Sequence, residues 1–523
     1  MDVLIRTVPA LRYSVRDYGA KGDGATMDTQ AIQAAIDTCT SHAGGTVFFP
    51  AGTYLTGTIV FKDNVTLYFA PEATLLGSKS IEDYAIGNRL ASSVQEQTLI
   101  FARHARNIGL AGQGMVDGQG WAFPCGTEGF NVEDEEKAPR GKAYPRPRLL
   151  DFLDCQGITI RDLTLKNAAS WCTRIEDGKD IRIDGVKVDS RQNQNTDGFH
   201  LVGCENVFIS NCDMNCGDDA FPLSRSARNI VITNCVITSR WAAFRMGPYS
   251  TGVFKDIAVS NCIIRDTYGC GIKLQMVEGG AMEDIVFDNL VMEHTTGPIS
   301  IRLAGYLGWK RERKESYPTG KFRNVLFSNI RASVPENSCP LEHEVVRMPG
   351  ELRSCMNITG LPGHPVEGVT FSNVHITYAG GGTAEEAARR DVPEMKDHYP
   401  EYHMFGTLPA YGLYVRHAKG LTLHNVRFDL ENPDLRPAVV CDDVEDLELA
   451  GLRAEGHPQA EALIRLQQTR GAFIHGCRPL NEVGTFLRVE GEESGEILLT
   501  ANDLAHAAST CDVADGARED AVK

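Results

Sequence analysis

The run NVFISNCDM, Asn206–Met214, decides the fold, because near copies of it recur along the chain. They read NIVITNCVI from Asn229, DIAVSNCII from Asp256, DIVFDNLVM from Asp284, NVLFSNIRA from Asn324, GVTFSNVHI from Gly368 and GLTLHNVRF from Gly420. Weaker copies lie upstream, at NVTLYF, NIGLAG, GITIRDLTL and DIRIDGVKV. In each copy apolar residues alternate with variable ones, as at Val207 and Ile209 or Ile230 and Ile232, and a period of two marks a strand. The first starts lie 23, 27 and 28 residues apart, too far for hairpins, with no helical periodicity between them. One coil of a parallel β-solenoid per repeat accounts for both the spacing and the alternation. Later intervals of 44 and 52 residues imply loops inserted between strands of the same stack. The shared asparagine (Asn211, Asn234, Asn261, Asn289, Asn329, Asn373, Asn425) predicts a ladder at a turn, each amide bonding its neighbour one coil on.

The expected fold class is therefore all-β, with a cap to protect the exposed end of the stack. MDTQAIQAAIDTC supplies one: Asp28 as N-cap, then Ile32 and Ile36 at helical spacing, predicts an N-terminal capping helix. Residues 1–430 read as the catalytic solenoid with inserted loops, 431–510 as degenerate coils of the same solenoid, and 511–523 as a loose tail without a core pattern.

Composition limits the function. The formal charge of −17 argues against a nucleic-acid partner, which demands clustered Lys and Arg. No apolar run approaches a membrane span, and the first residues lack the layout of a leader peptide. Fifteen cysteines, three of them in the repeated SNC or TNC at Cys212, Cys235 and Cys262, read as buried reduced thiols. The expectation is a soluble, cytoplasmic chain, or a secreted one if a leader has been removed.

The run NTDGFH followed by CGDD brings Asp197, Asp218 and Asp219 together. Asp197 and Asp218 are 21 residues apart, close to one coil, so they fall on adjacent rungs, which lie about 4.8 Å apart. Gly217 suggests a bulge that turns both Asp218 and Asp219 outward, since a lone charge in the core is costly. Crowded carboxylates raise at least one pKa, which allows an acid and a base to coexist. Glycoside hydrolysis needs that pair. A Ca²⁺ site and an ordinary Asx-rich turn are the competing readings of the bare residues.

NTDG at Asn195–Gly198 with GDD at Gly217–Asp219 resembles glycoside hydrolase family 28, the polygalacturonase-like, pectin-degrading hydrolases. DYGAKGDGATMDTQAIQAAIDTC and GGTVFFPAGTYLTGTI are similar to the N-terminal part of its bacterial members. The resemblance implies a right-handed parallel β-helix and hydrolysis with inversion. By it Asp218 is the general acid, Asp197 and Asp219 activate water, and Asn195 and His200 accompany the motif; no cofactor or metal is implied.

The chain departs from the family pattern where a Gly-His-Gly run is replaced by SRWAAFRMGPYS, and where Arg-x-Lys is replaced by GCGIKLQM. Lys273 matches the lysine, and Gly271 stands in place of the arginine. Arg245, Lys273 and Arg302, at intervals of 28 and 29 residues, suggest a vertical row of cations able to hold a uronate, with Trp241 as a sugar-stacking face. The segments at 131–148 and 391–412 read as lids or walls, and GWKRERKESYPTGK, Gly308–Lys321, as a solvated basic loop. The function expected is an inverting, exo-acting hydrolase of pectin-derived or related, uronide-containing oligosaccharides. A polysaccharide lyase on the same fold, a glycosidase for a neutral sugar, and a non-catalytic glycan-binding solenoid are the alternatives.

Overall fold

The computed structural model describes residues 12–84, 97–123, 145–305, 318–336 and 353–523. The expected lid at 131–148 and the basic loop at 308–321 fall mostly outside them. The chain divides between Asp218 and Asp219 into two compact units.

In the first unit every named strand pairing is parallel and three strands make one coil. One stack runs through Gly45–Phe49, Val65–Phe69, Arg106–Gly112, Gln156–Arg161 and Lys179–Asp184 to the distal half of Phe199–Ser210. A second runs from Gly52–Thr56 through Ala73–Gly77, Met115–Asp117, Thr164–Lys166 and Lys187–Ser190 to Asp213–Cys216. The third runs through Ile59–Val60, Thr98–Arg103, Arg148–Leu153 and Thr173–Glu176 to the start of Phe199–Ser210. The capping helix, Thr29–Ser41, buries Ile32, Ala35, Ile36 and Cys39. Asp28 is its N-cap by position, but its carboxylate accepts from the N–H groups of Lys21 and Gly22 and so ties the preceding turn instead of the helix.

The second unit stacks Phe221–Thr233, Val253–Thr267, Ala281–Thr295, Lys321–Val334 and Val366–Tyr378 in register. Inside it, Phe287, Phe327 and Phe371 stack ring on ring at 5.4 and 5.1 Å, so the inward positions of successive repeats form one continuous apolar column. The repeat asparagines all take φ between 53° and 57°, a left-handed turn that Asn tolerates better than other residues with a Cβ. Their ladder is real but interrupted: Asn289 bonds Asn261, Asn373 bonds Asn329, and Asn425 bonds Asn373, whereas Asn329 reaches Asp288 and Asn261 reaches Thr233. Each amide takes whichever acceptor the preceding coil presents.

Coils continue past residue 430, through Val439–Ala450 and Ile464–Gln467, to Val483–Glu490 paired with Ala507–Ala514. The expected loose tail is tied down. Lys523 N donates to Ile497 O, and Leu499 N donates to Lys523 O. The last rung offers unpaired backbone groups, and pairing with them needs no apolar pattern. Cys212, Cys235 and Cys262 are buried, as are all the described cysteines except the half-buried Cys511.

Candidate active site

In the first unit the turn 193–196 is pressed against Gly217. A Cβ on Gly217 would lie 2.1 Å from Asn193 O and 2.4 Å from Thr196 Oγ1, so the position admits only glycine. Thr196 Oγ1 donates to Asn193 O and accepts from Gly217 N at 3.1 Å, clamping one coil to the next. The role of Gly217 is thus close approach. The clamp brings Asn195 Nδ2 to 3.2 Å from Asp218 Oδ2, while Arg146 donates to Asn195 Oδ1 at 2.9 Å and holds that amide in place. Carboxylate oxygens of Asp197 and Asp218 come within 4.8 Å of each other. A single water hydrogen-bonded to both, at about 2.8 Å each, spans that distance, as does a cation.

Asp197 is buried, and His200 Nδ1 lies 3.1 Å from its Oδ2. His200 sits on the strand Phe199–Ser210, in register with Arg174, with its ring 4.4 Å from that of Trp171. Its Nδ1 thus faces a carboxylate. Trp171, Arg146 and the buried group Arg148, Arg174 and Asp151 were not singled out in the sequence, where nothing distinguishes them from other strand residues.

Asp219, joined to Asp218 by a peptide bond, opens the second unit. It is fully buried, contrary to the expected outward turn. Its Oδ1 accepts from Ala242 N at 2.9 Å and its Oδ2 from Arg245 Nη1 at 2.5 Å. Burial alone would raise its pKa, but the charges of Arg245 and Lys273 outweigh it and hold the carboxyl below its ordinary value. A paired charge can be buried where a lone one cannot.

Arg245 and Lys273 are register partners on adjacent rungs, as the spacing suggested. Arg302 is not the third member of that row: Lys273 pairs with Ser300, and Arg302 pairs with Gln275, two residues further along the strand. Counting residues assumes coils of equal length, and these differ. Gly271 cannot be replaced by the family arginine, because a Cβ there would lie 2.7 Å from Pro298 O. The half-buried Trp241 has Lys273 Nζ 5.5 Å from its ring centroid, a cation–π arrangement.

The segment 391–412 does act as a wall. Arg245 donates to the Tyr399 hydroxyl, Lys273 Nζ lies 2.6 Å from Glu401 Oε2, Gln275 donates to Pro400 O, and Arg302 donates to Glu394 O at 2.5 Å. Burial lowers the pKa of Arg302 to about 10. Tyr399 and Glu401 are further residues that sequence reasoning missed. The segment itself was legible as a wall, but no local signal links Glu401 to a lysine 128 residues away.

A sequence model of glycosyl hydrolases family 28 matches residues 39–394. The chain is 26% identical over 392 residues to a probable polygalacturonase of Vitis vinifera, covering 70% of this chain and 74% of that one. It is 25% identical over 332 residues to an exo-poly-alpha-D-galacturonosidase of Dickeya chrysanthemi, covering 54% of this chain and 55% of that one. The exopolygalacturonase of Thermotoga maritima superposes with a TM-score of 0.60 at 18% identity, over 80% of this chain and 92% of that one. The fold is the right-handed parallel β-helix.

Proposed function

We propose, given that the chain belongs to glycosyl hydrolases family 28, that it is an inverting, exo-acting hydrolase of pectin-derived or related oligosaccharides. The observation that carries the reading is the approach of Asp197 and Asp218 to within 4.8 Å, with Asp219 next in the chain and held as a carboxylate by Arg245. Asp218, its carboxyl oriented by Asn195, gives its proton to the leaving glycosidic oxygen. Asp219, ionised, and Asp197, oriented by His200, draw a proton from the attacking water. The Dickeya chrysanthemi relative is named for exo action, which supports release of terminal residues.

The alternative stereochemistry is retention through a glycosyl-enzyme intermediate. The family and the ionised third aspartate favour inversion.

Turnover on a panel of defined pectic oligosaccharides tests the proposal. Asp218→Asn should lower kcat by about 10²–10⁴-fold, the usual contribution of a positioned acid, with the fold unchanged by circular dichroism. Product profiles should show one terminal sugar released from the first time point. Undiminished hydrolysis by Asp218→Asn overturns the assignment.

A further inference from the structure

Lys273 is the one residue that matches the cationic element expected to grip a sugar carboxylate, and it is already occupied. Its side chain has no exposed surface, and its Nζ lies 2.6 Å from Glu401 Oε2. Arg245, its neighbour one rung away, is likewise committed, to Asp219 and the Tyr399 hydroxyl.

The segment that brings Glu401 is built in. Arg416 donates to Pro393 O at 3.1 Å, Arg302 to Glu394 O, Gln275 to Pro400 O, and Arg389 to Phe405 O and Thr407 O at 2.9 Å each. Tyr402 OH donates to Tyr268 O at 3.2 Å. Val392, Phe405 and Leu408 pack with Tyr414 and Val440 in one apolar cluster. A segment held by this many bonds and this much apolar packing keeps Glu401 in place.

The charges in this cluster cancel. Asp219 and Glu401 are both held below the ordinary carboxyl range: burial opposes it, but the facing cations prevail, Arg245 and Lys273 for Asp219, Lys273 and Arg245 for Glu401. Both therefore carry a full negative charge at neutral pH, against the two positive charges of Arg245 and Lys273. The other titratable neighbours add no positive charge there. Burial pushes His403 down to about 4, Cys270 up to about 12, and Tyr399 up as well. Without Glu401 the cluster would hold one positive charge in excess, the complement of a uronate. With it the sum is zero. A sugar carboxylate brought here would lose its water and find every cation already paired, a cost that a neutral hydroxymethyl group does not meet.

We propose that Glu401 is a specificity-determining residue, a resident carboxylate seated on Lys273 in place of a sugar's own, so that the sugar bound beside Trp241, Arg245 and Lys273 is a neutral one. This deepens the hydrolase reading and rests on it for the identity of the site. The sugar's apolar face lies against the half-buried Trp241, and its C6 group is uncharged.

Equilibrium titration with galactose and galacturonate, which differ at C6 alone, tests this without turnover. Wild-type protein should bind galactose about tenfold or more tighter than galacturonate. Glu401→Gln, which keeps the shape but frees the lysine charge, should move the ratio about tenfold or more towards galacturonate, the worth of one charge-assisted hydrogen bond. Lys273→Met combined with Glu401→Gln should return it to the wild-type side. Tighter binding of galacturonate by wild-type protein overturns the proposal even if neither variant folds. So do an unchanged ratio in a folded Glu401→Gln protein and binding of neither sugar by wild-type protein. Hydrolysis of pectic oligosaccharides together with a preference for galacturonate would sink this proposal and leave the hydrolase reading standing. Preferential galactose binding without any hydrolysis would do the reverse.

Discussion

Replacing Arg245 with methionine removes the charge that makes a buried Asp219 tolerable. The carboxylate has no exposed surface, and Arg245 supplies its shortest bond, at 2.5 Å, leaving Ala242 N at 2.9 Å and the more distant charge of Lys273. Removing one partner of a buried pair costs about 3–5 kcal/mol. Because Lys273 remains, the lower part of that range is expected, about 3 kcal/mol at pH 7. The pH dependence follows from the direction of the shift. In the wild type Asp219 has a lowered folded pKa, so it contributes stability above the unfolded carboxyl value of about 3.9 and loses it as pH falls through the folded value. In Arg245→Met, burial dominates and raises the folded pKa above the unfolded one. The cost is then full at neutral pH and shrinks as acid protonates Asp219. Urea unfolding of both proteins at pH 7 and pH 4.5 should show the gap narrowing, and Asp219→Asn in the Arg245→Met background should recover part of the loss. A gap under about 1 kcal/mol, or one equally wide at both pH values, would refute the claim that Arg245 sustains the ionised aspartate.

Gly217→Ala places a methyl 2.1 Å from Asn193 O, so we expect a loss of about 1–3 kcal/mol in stability, seen as a lower urea midpoint, and a fall in kcat as Asp218 leaves the Asn195 amide. Hydrolysis should survive EDTA, because a dication on Asp197 and Asp218 would lower the pKa of the group that must donate a proton; loss with chelator and recovery with Ca²⁺, accompanied by an ultraviolet-absorbing product, would favour lyase chemistry.

The solenoid was legible because its determinants are local. A strand of period two, a left-handed Asn and a stacked apolar position all repeat within each coil, so Asn206–Met214 already contains the rule that Asn229 and Asp256 repeat. The aspartates were legible for the same reason, since Asp197 and Asp218 lie one coil apart. Depth was not. Whether Asp219 faces solvent or protein depends on Arg245, which is placed by the next coil. Arg302 was placed by residue spacing, and unequal coils put Ser300 beside Lys273 instead. The partner of Lys273 was least legible, because Glu401 arrives on a wall segment whose path is set by tertiary bonds from Arg302, Gln275 and Arg416.

The anomeric configuration of the first released sugar tests the central claim most directly. If Asp218 donates the proton while Asp219 and Asp197 deliver water to the opposite face, time-resolved proton NMR during hydrolysis of an oligosaccharide should show the inverted anomer first, with the other anomer growing only by mutarotation. Initial appearance of the retained anomer would contradict the account: the close approach of Asp197 and Asp218, within 4.8 Å, would then mark a nucleophile and its acid, the acid turning base only afterwards to activate the water that releases the glycosyl-enzyme.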